Sequence, residues 1–195
     1  MPLVGTFDIE GRSPHSDIYQ APLHSLIVWT PRQTYDNWRL TFLFRTTVRG
    51  ITCVRATLRY SAASNSSAFF FQLSSVMHQQ APGATTVKLE YSQDVYSISG
   101  FLVQDVMRCN FVGNVTMHYV IRTLQIRVPD YRLLPGNRGV HGWALLAVKA
   151  LFDDGLLPAG TMDQFAASIG ALRNASQTAR NAIEWPIPFG ATPGV

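Results

Sequence analysis

The chain has 195 residues, 47% of them hydrophobic and 11% aromatic, enough to bury one substantial core and too much to leave the chain disordered. No apolar run approaches the roughly 20 residues that a membrane-crossing helix needs. The formal charge is +4, and the 16 basic residues are arginines except for Lys88 and Lys149. That bias suits phosphate or carboxylate recognition and equally suits paired surface arginines. Like charges never run together in a block, which excludes a disordered nucleic-acid-binding tail.

Residues 1–24 carry Gly5, Gly11, Pro14 and Pro22 amid mixed polarity and predict an extended arm of the kind that lies across a neighbouring subunit. A charged segment followed by an apolar stretch is missing there, so no secretory leader is expected, the compartment reads as cytosolic and reducing, and the sequons at Asn65, Asn114 and Asn174 are expected to be coincidences. Residues 26–29 predict a short strand stopped by Pro31, and residues 33–37 a polar turn. Two alternating runs follow. In the first, Leu40, Phe42, Phe44 and Val48 hold one parity and Arg39, Thr41, Arg45, Thr47 and Arg49 the other. Beyond Gly50, Val54, Ala56, Leu58 and Tyr60 oppose Cys53, Arg55, Thr57 and Arg59. The pattern predicts two antiparallel strands with an oily face and a cationic, wet one.

The stretch S-A-A-S-N-S-S-A after Tyr60 reads as a loop that changes sheets, and Phe69, Phe70, Phe71 and Leu73 as a strand buried on both faces. Strand patterns recur over residues 86–91, 95–106 and 115–128, the last ended by Pro129. Seven or eight strands between residues 26 and 128 without interleaved helices predict a mainly β fold, an antiparallel β-sandwich or barrel. Past Pro135 the texture changes to helix: one over residues 143–152, bounded by Asp153-Asp154-Gly155, and a second from Thr161 to about Ile183, opened by a Thr161/Gln164 capping box. The expected organisation is an arm over 1–24, a β-domain over 25–134 and a helical extension with a proline-rich tail over 135–195.

Catalytic signatures are missing: there is no nucleophile elbow, phosphate-cradling glycine loop, H-E-x-x-H or paired-cysteine spacing. No enzyme activity, cofactor or metal is therefore expected. His15, His24, His78, His118 and His141 are scattered, and Asp36, Asp94 and Asp105 would meet His118 only through folding. Cys53 and Cys109 are expected as buried free thiols. The candidates for nucleic-acid or intersubunit contact are Arg39, Arg45, Arg49, Arg55, Arg59, Arg122 and Arg127, provided that their strands are neighbours. Phe165, Ile169 and Leu172 form a narrow apolar stripe on the last helix, fit to pack on the chain's own body or to clamp another copy.

The segment I-T-C-V-R-A-T-L-R-Y-S-A-A-S-N-S-S-A-F-F-F, residues 51–71, resembles the central strand, crossover and next strand of single jelly-roll coat proteins of small icosahedral RNA viruses, of the sobemovirus or plant picorna-like type. Residues 116–128 are similar to the closing strand of that fold. The resemblance spans about residues 26–128. It implies a jelly-roll capsid subunit that assembles with copies of itself or with other subunits around viral RNA, localised to the virion and to the host cytoplasm during assembly, without a membrane partner. Two other classes stay open: an RNA-binding viral accessory protein, a movement protein or silencing suppressor, that uses the arginine strands directly, and a cellular β-sandwich module with Trp29, Trp38 and Tyr60 lining a ligand pocket.

Overall fold

The computed structural model of the chain describes residues 16–35, 37–60, 70–72, 85–96, 99–128 and 140–183. In chain order they form α1 (Ser16–Gln20), β1 (Leu23–Pro31), β2 (Arg39–Val48), β3 (Ile51–Tyr60), β4 (Phe70–Gln72), β5 (Thr85–Ser92), β6 (Val103–Asn110), α2 (Met117–Arg127), α3 (Val140–Asp153), α4 (Thr161–Ala175) and α5 (Gln177–Ala182). The strands make one antiparallel sheet in the order β4-β5-β3-β2-β1-β6.

The two arginine runs pair as the alternation requires, with Leu40 opposite Ala56 and Phe42 opposite Val54. Their connection is the two-residue turn Arg49-Gly50, closed by the Val48–Ile51 pair, and both turn residues have positive φ (50° and 77°). A two-residue hairpin turn of this hand follows the right-handed strand twist, and glycine supplies the second position without steric cost.

One parity of the sheet packs on the helices. Leu26, Val28, Leu40, Phe42, Val54, Ala56, Val87 and Leu89 meet Val120, Ile121, Leu124, Trp143, Ala147, Leu151, Phe165 and Ile169 in one continuous core. Each large side chain fully buried there contributes about 1.5–3 kcal/mol. Trp38 closes one end of the core, its Nε1 donating to the Tyr35 carbonyl at 2.8 Å and its ring meeting Phe165 edge-on. Residues on both sides of the expected 134/135 boundary share this core.

Several expectations change. The fold is a mixture of helix and strand rather than mainly β, and the described residues hold one sheet of six strands with helices as the second layer, not the two sheets of a sandwich. Residues expected as the closing strand form helix α2: Met117, Val120, Ile121, Leu124 and Val128 recur at helical spacing and are all buried, while Tyr119, Arg122 and Ile126 face outward. The short strand β4 joins β5 in the same sheet instead of crossing to another. In the expected arm, residues 1–15 lie outside the described part, Ile18 and Tyr19 of α1 are buried, and β1 already begins at Leu23.

The C-terminal helix also divides. Ser176 leaves helical geometry at φ −140°, and its hydroxyl accepts from the Ala179 amide, opening α5. The capping box does not form: Gly160 is the N-cap of α4, and the Thr161 hydroxyl donates to the Pro158 carbonyl at 2.7 Å. Helix α3 begins three residues before the expected 143 and ends at Asp153, beside the expected boundary. It is closed by Gly155 (φ 72°), whose amide reaches the Phe152 carbonyl while that of Leu156 reaches Leu151, the paired closure that a left-handed glycine permits. Both cysteines are buried and free.

Candidate interface on the sheet

Strands β5 and β6 are consecutive among the strands, yet three strands lie between them in the sheet. In its described residues 93–96 their connection lies on the face opposite the helices. Thr52 Oγ1 donates to the carbonyls of Ser92 and Gln93 at the start of this crossover. Arg55 then donates through a terminal guanidinium nitrogen to the Asp94 carbonyl at 2.6 Å, and Cys53 Sγ donates to the same oxygen at 3.2 Å. Further along, Trp29 Nε1 donates to Thr41 Oγ1 (2.8 Å), which donates to the Val95 carbonyl (3.3 Å), and the Tyr96 ring stands edge-on to Trp29. A 3-10 turn, Gly100–Leu102, leads into β6, where Arg32 binds the carbonyls of Leu102 and Val103 through its backbone N–H and its Nε. Ile27, Trp29 and Val103, with Leu43, Val95 and Tyr96 against them, make a second, smaller apolar cluster under the crossover.

This cover decides where the candidate arginines stand. Arg55 is 3% exposed, its Nε 3.9 Å from a Glu90 carboxylate oxygen. The Arg39 guanidinium lies over the Trp29 ring, 5.0 Å from its centroid. Arg45 donates to the carbonyls of Leu23 and Gly113 at the end of its strand, and Arg49, at the hairpin turn, pairs with Asp17 of α1 at 2.6 Å. Arg122 and Arg127 ride on α2 in the helix layer, on the other side of the sheet, where Arg127 and Thr123 both donate to the Asp154 carboxylate beyond α3. The side chain of Arg59 lies outside the described part. The structure thus brings Arg39 and Arg55 to one covered face and distributes Arg45, Arg49, Arg122 and Arg127; these six do not converge on one wet surface.

Other candidates disperse as well. Phe165 and Ile169 are buried in the chain's own core with Leu172 packed against them, so this side of α4 docks on its own body and offers no clamp to another copy. Trp29 and Trp38 are fully buried in different clusters on opposite faces of the sheet and line no shared pocket; the side chain of Tyr60 lies outside the described part. Asp94 and Asp105 belong to the crossover face and its edge, whereas His118 stands in the helix layer against the Tyr19 ring. Asp36, His15 and His78 lie outside the described residues. Among the described residues no three His, Cys, Asp or Glu side chains come together to hold a metal, and no helix is long and apolar enough to cross a membrane.

What the sequence pattern missed is the outer edge of β6, which no other strand covers among the described residues. The β1–β6 register slips between Val28 and Trp29, leaving Val106 as an extra residue that sets Asp105 and Arg108 on the same face. There they form an exposed network: the Tyr96 hydroxyl donates to Asp105 Oδ1 at 2.7 Å, and Arg108 reaches Asp105 Oδ2 at 3.4 Å and the Tyr96 oxygen at 3.3 Å. Burial, followed by the bond to Asp105, pushes the Tyr96 phenol above its ordinary value. Exposed apolar side chains flank the strand, Phe101 before it (75%) and Val112 after it (50%).

No protein-family model, curated protein or solved structure matches this chain.

The functional reading therefore rests on this geometry and on the sequence resemblance of residues 51–71. A signal for the bulge was present in residues 103–110, where alternation breaks at the apolar pair Val106-Met107 between Asp105 and Arg108. Nothing in that pattern says that β6 would be outermost, because strand order is set by long-range pairing.

Proposed function

We propose that the chain is a structural protein that works by assembling with copies of itself, and that the assembly is a viral shell. The observation that carries assembly is the outer edge of β6, flanked by exposed Phe101 and Val112. An unpaired strand edge presents backbone donors and acceptors to another chain, and apolar side chains at its ends add contact area. The shell is suggested by the sequence resemblance of residues 51–71 to small RNA-virus coat proteins alone, because β4 pairs with β5 in the same sheet instead of making the change of sheet that the resemblance implies. The jelly-roll form of such a subunit is not required for this reading, since one sheet backed by helices also gives a rigid plate with a free edge.

The RNA-binding accessory reading draws on the arginine strands, and the cover over Arg55 and the stacking of Arg39 on Trp29 leave it less support. The test is expression of the chain alone, with light scattering and negative-stain electron microscopy at low and high salt, with and without RNA. Rings or closed shells are the expected result. A monomer at every protein concentration and in both salts overturns the reading.

A further inference from the structure

The assembly reading leaves open which surface meets which. We propose that β6 pairs antiparallel with β6 of a second copy about a two-fold axis between Val106 and Met107, joining the two six-stranded sheets edge to edge. This proposal rests on the assembly reading and names its first contact.

The argument is self-complementarity. A two-fold contact must match a surface to itself, so that whatever residue i meets in the copy must meet residue i in return. Counting outward from an axis between Val106 and Met107, Asp105 falls opposite Arg108 of the second copy and Arg108 opposite its Asp105. These two side chains share one face of the strand because of the extra residue at Val106, and they are 41% and 55% exposed. Opposite charges on directly opposed positions of an antiparallel pair attract, and like charges there repel. Beyond the paired segment, the 3-10 turn that carries Phe101 of one copy comes to the end of the edge where the chain leaves β6 toward Val112 in the other, and the reverse holds at the second end. Phe101 and Val112 are the two exposed large apolar side chains that flank β6. A single register thus matches the charged residues of this edge and brings its two exposed apolar ends to opposite ends of the copy. Shifting it by two residues either way sets Asp105 opposite Val106 or Asn110 and breaks the charged match.

The bulge sits at the axis, so the segments on either side of it carry the ladder: Val103 opposite Asn110 and Gln104 opposite Cys109. Bulges and charged residues also serve proteins as devices that keep an edge unpaired, and a monomer is the outcome that this use would give.

Two experiments on the full chain test the pairing. Sedimentation velocity over a concentration series is expected to show a dimer. Arg108→Glu, which sets two like pairs face to face, is expected to weaken it by about tenfold or more, and the exchanged variant D105R/R108D to restore it. In the second experiment, F101C and V112C are oxidised separately and as a mixture. Strand β6, which separates these positions, is itself roughly 23 Å long at about 3.3 Å per residue, too long for a bridge between its two ends, so a disulfide dimer that forms only in the mixture reports the proposed antiparallel pairing. A dimer or larger particle that tolerates R108E and gives no mixed disulfide overturns this pairing while leaving assembly intact. A chain that stays monomeric throughout overturns both.

Discussion

At the scale of single residues, burial governs the ionisable groups. Desolvation raises the Cys109 thiol to about 11 from its ordinary 9.0. Cys53 is also raised, chiefly by burial, with the nearby Arg55 charge acting in the opposite direction. An acid whose folded-state value is raised stabilises the fold fully below its unfolded value and loses that contribution as pH climbs through the folded value. For Cys109 the window runs from about pH 9 to about pH 11. Denaturant midpoints measured across that window should fall, and Cys109→Val should flatten the fall without removing it, because burial raises Tyr91 in the same direction. Both thiols should resist dithionitrobenzoate at pH 8 and react fully once the chain is unfolded. That the cysteines are buried was legible in their strand-like neighbours. That Arg55 is buried beside Cys53 was not, since alternation tells which side a residue faces and not what lies over that side.

Elements show the same division. Strands β2 and β3 and the two-residue turn between them were readable because period-two alternation is local and the turn residues are chemically distinctive. Helix α2 was misread because its β-branched and aromatic residues satisfy an alternating template as well as the helical one, and two of its outward residues, Tyr119 and Ile126, are apolar. The crossover from β5 to β6 has no signature of its own; it is fixed to the sheet by side chains from three strands. Removing its central fastening with Arg55→Ala leaves the Asp94 carbonyl without its charged donor and Glu90 without its neighbouring cation. The expected cost is about 2–3 kcal/mol by denaturant unfolding. The loss should be local. Cys53, which shares the Asp94 carbonyl, should become reactive to dithionitrobenzoate in the folded variant while Cys109 stays protected.

For the whole molecule, the division of the described candidate arginines between a covered sheet face, a hairpin turn and a helix layer predicts weak, shallow binding of nucleic acid by the isolated chain. Fluorescence anisotropy with single-stranded RNA should give a log–log salt slope of magnitude below about 2, where an exposed row of five or more arginines would give about 3.5 or more. A steep slope would restore the RNA-binding reading. By itself the sequence determined what local periodicity and composition control: one substantial core, the paired arginine strands and their turn, the buried thiols, helix α3, and a helical start at Thr161. Tertiary structure alone decided the order of the strands, the passage of the β5–β6 connection over the cationic face, the conversion of residues 117–127 into a packed helix, and the position of β6 at the rim. The physical reason is common to all of them. Which face is covered and which edge is left open depends on pairings between residues far apart in the chain, and those are settled by the burial of the whole core rather than by any segment's own pattern.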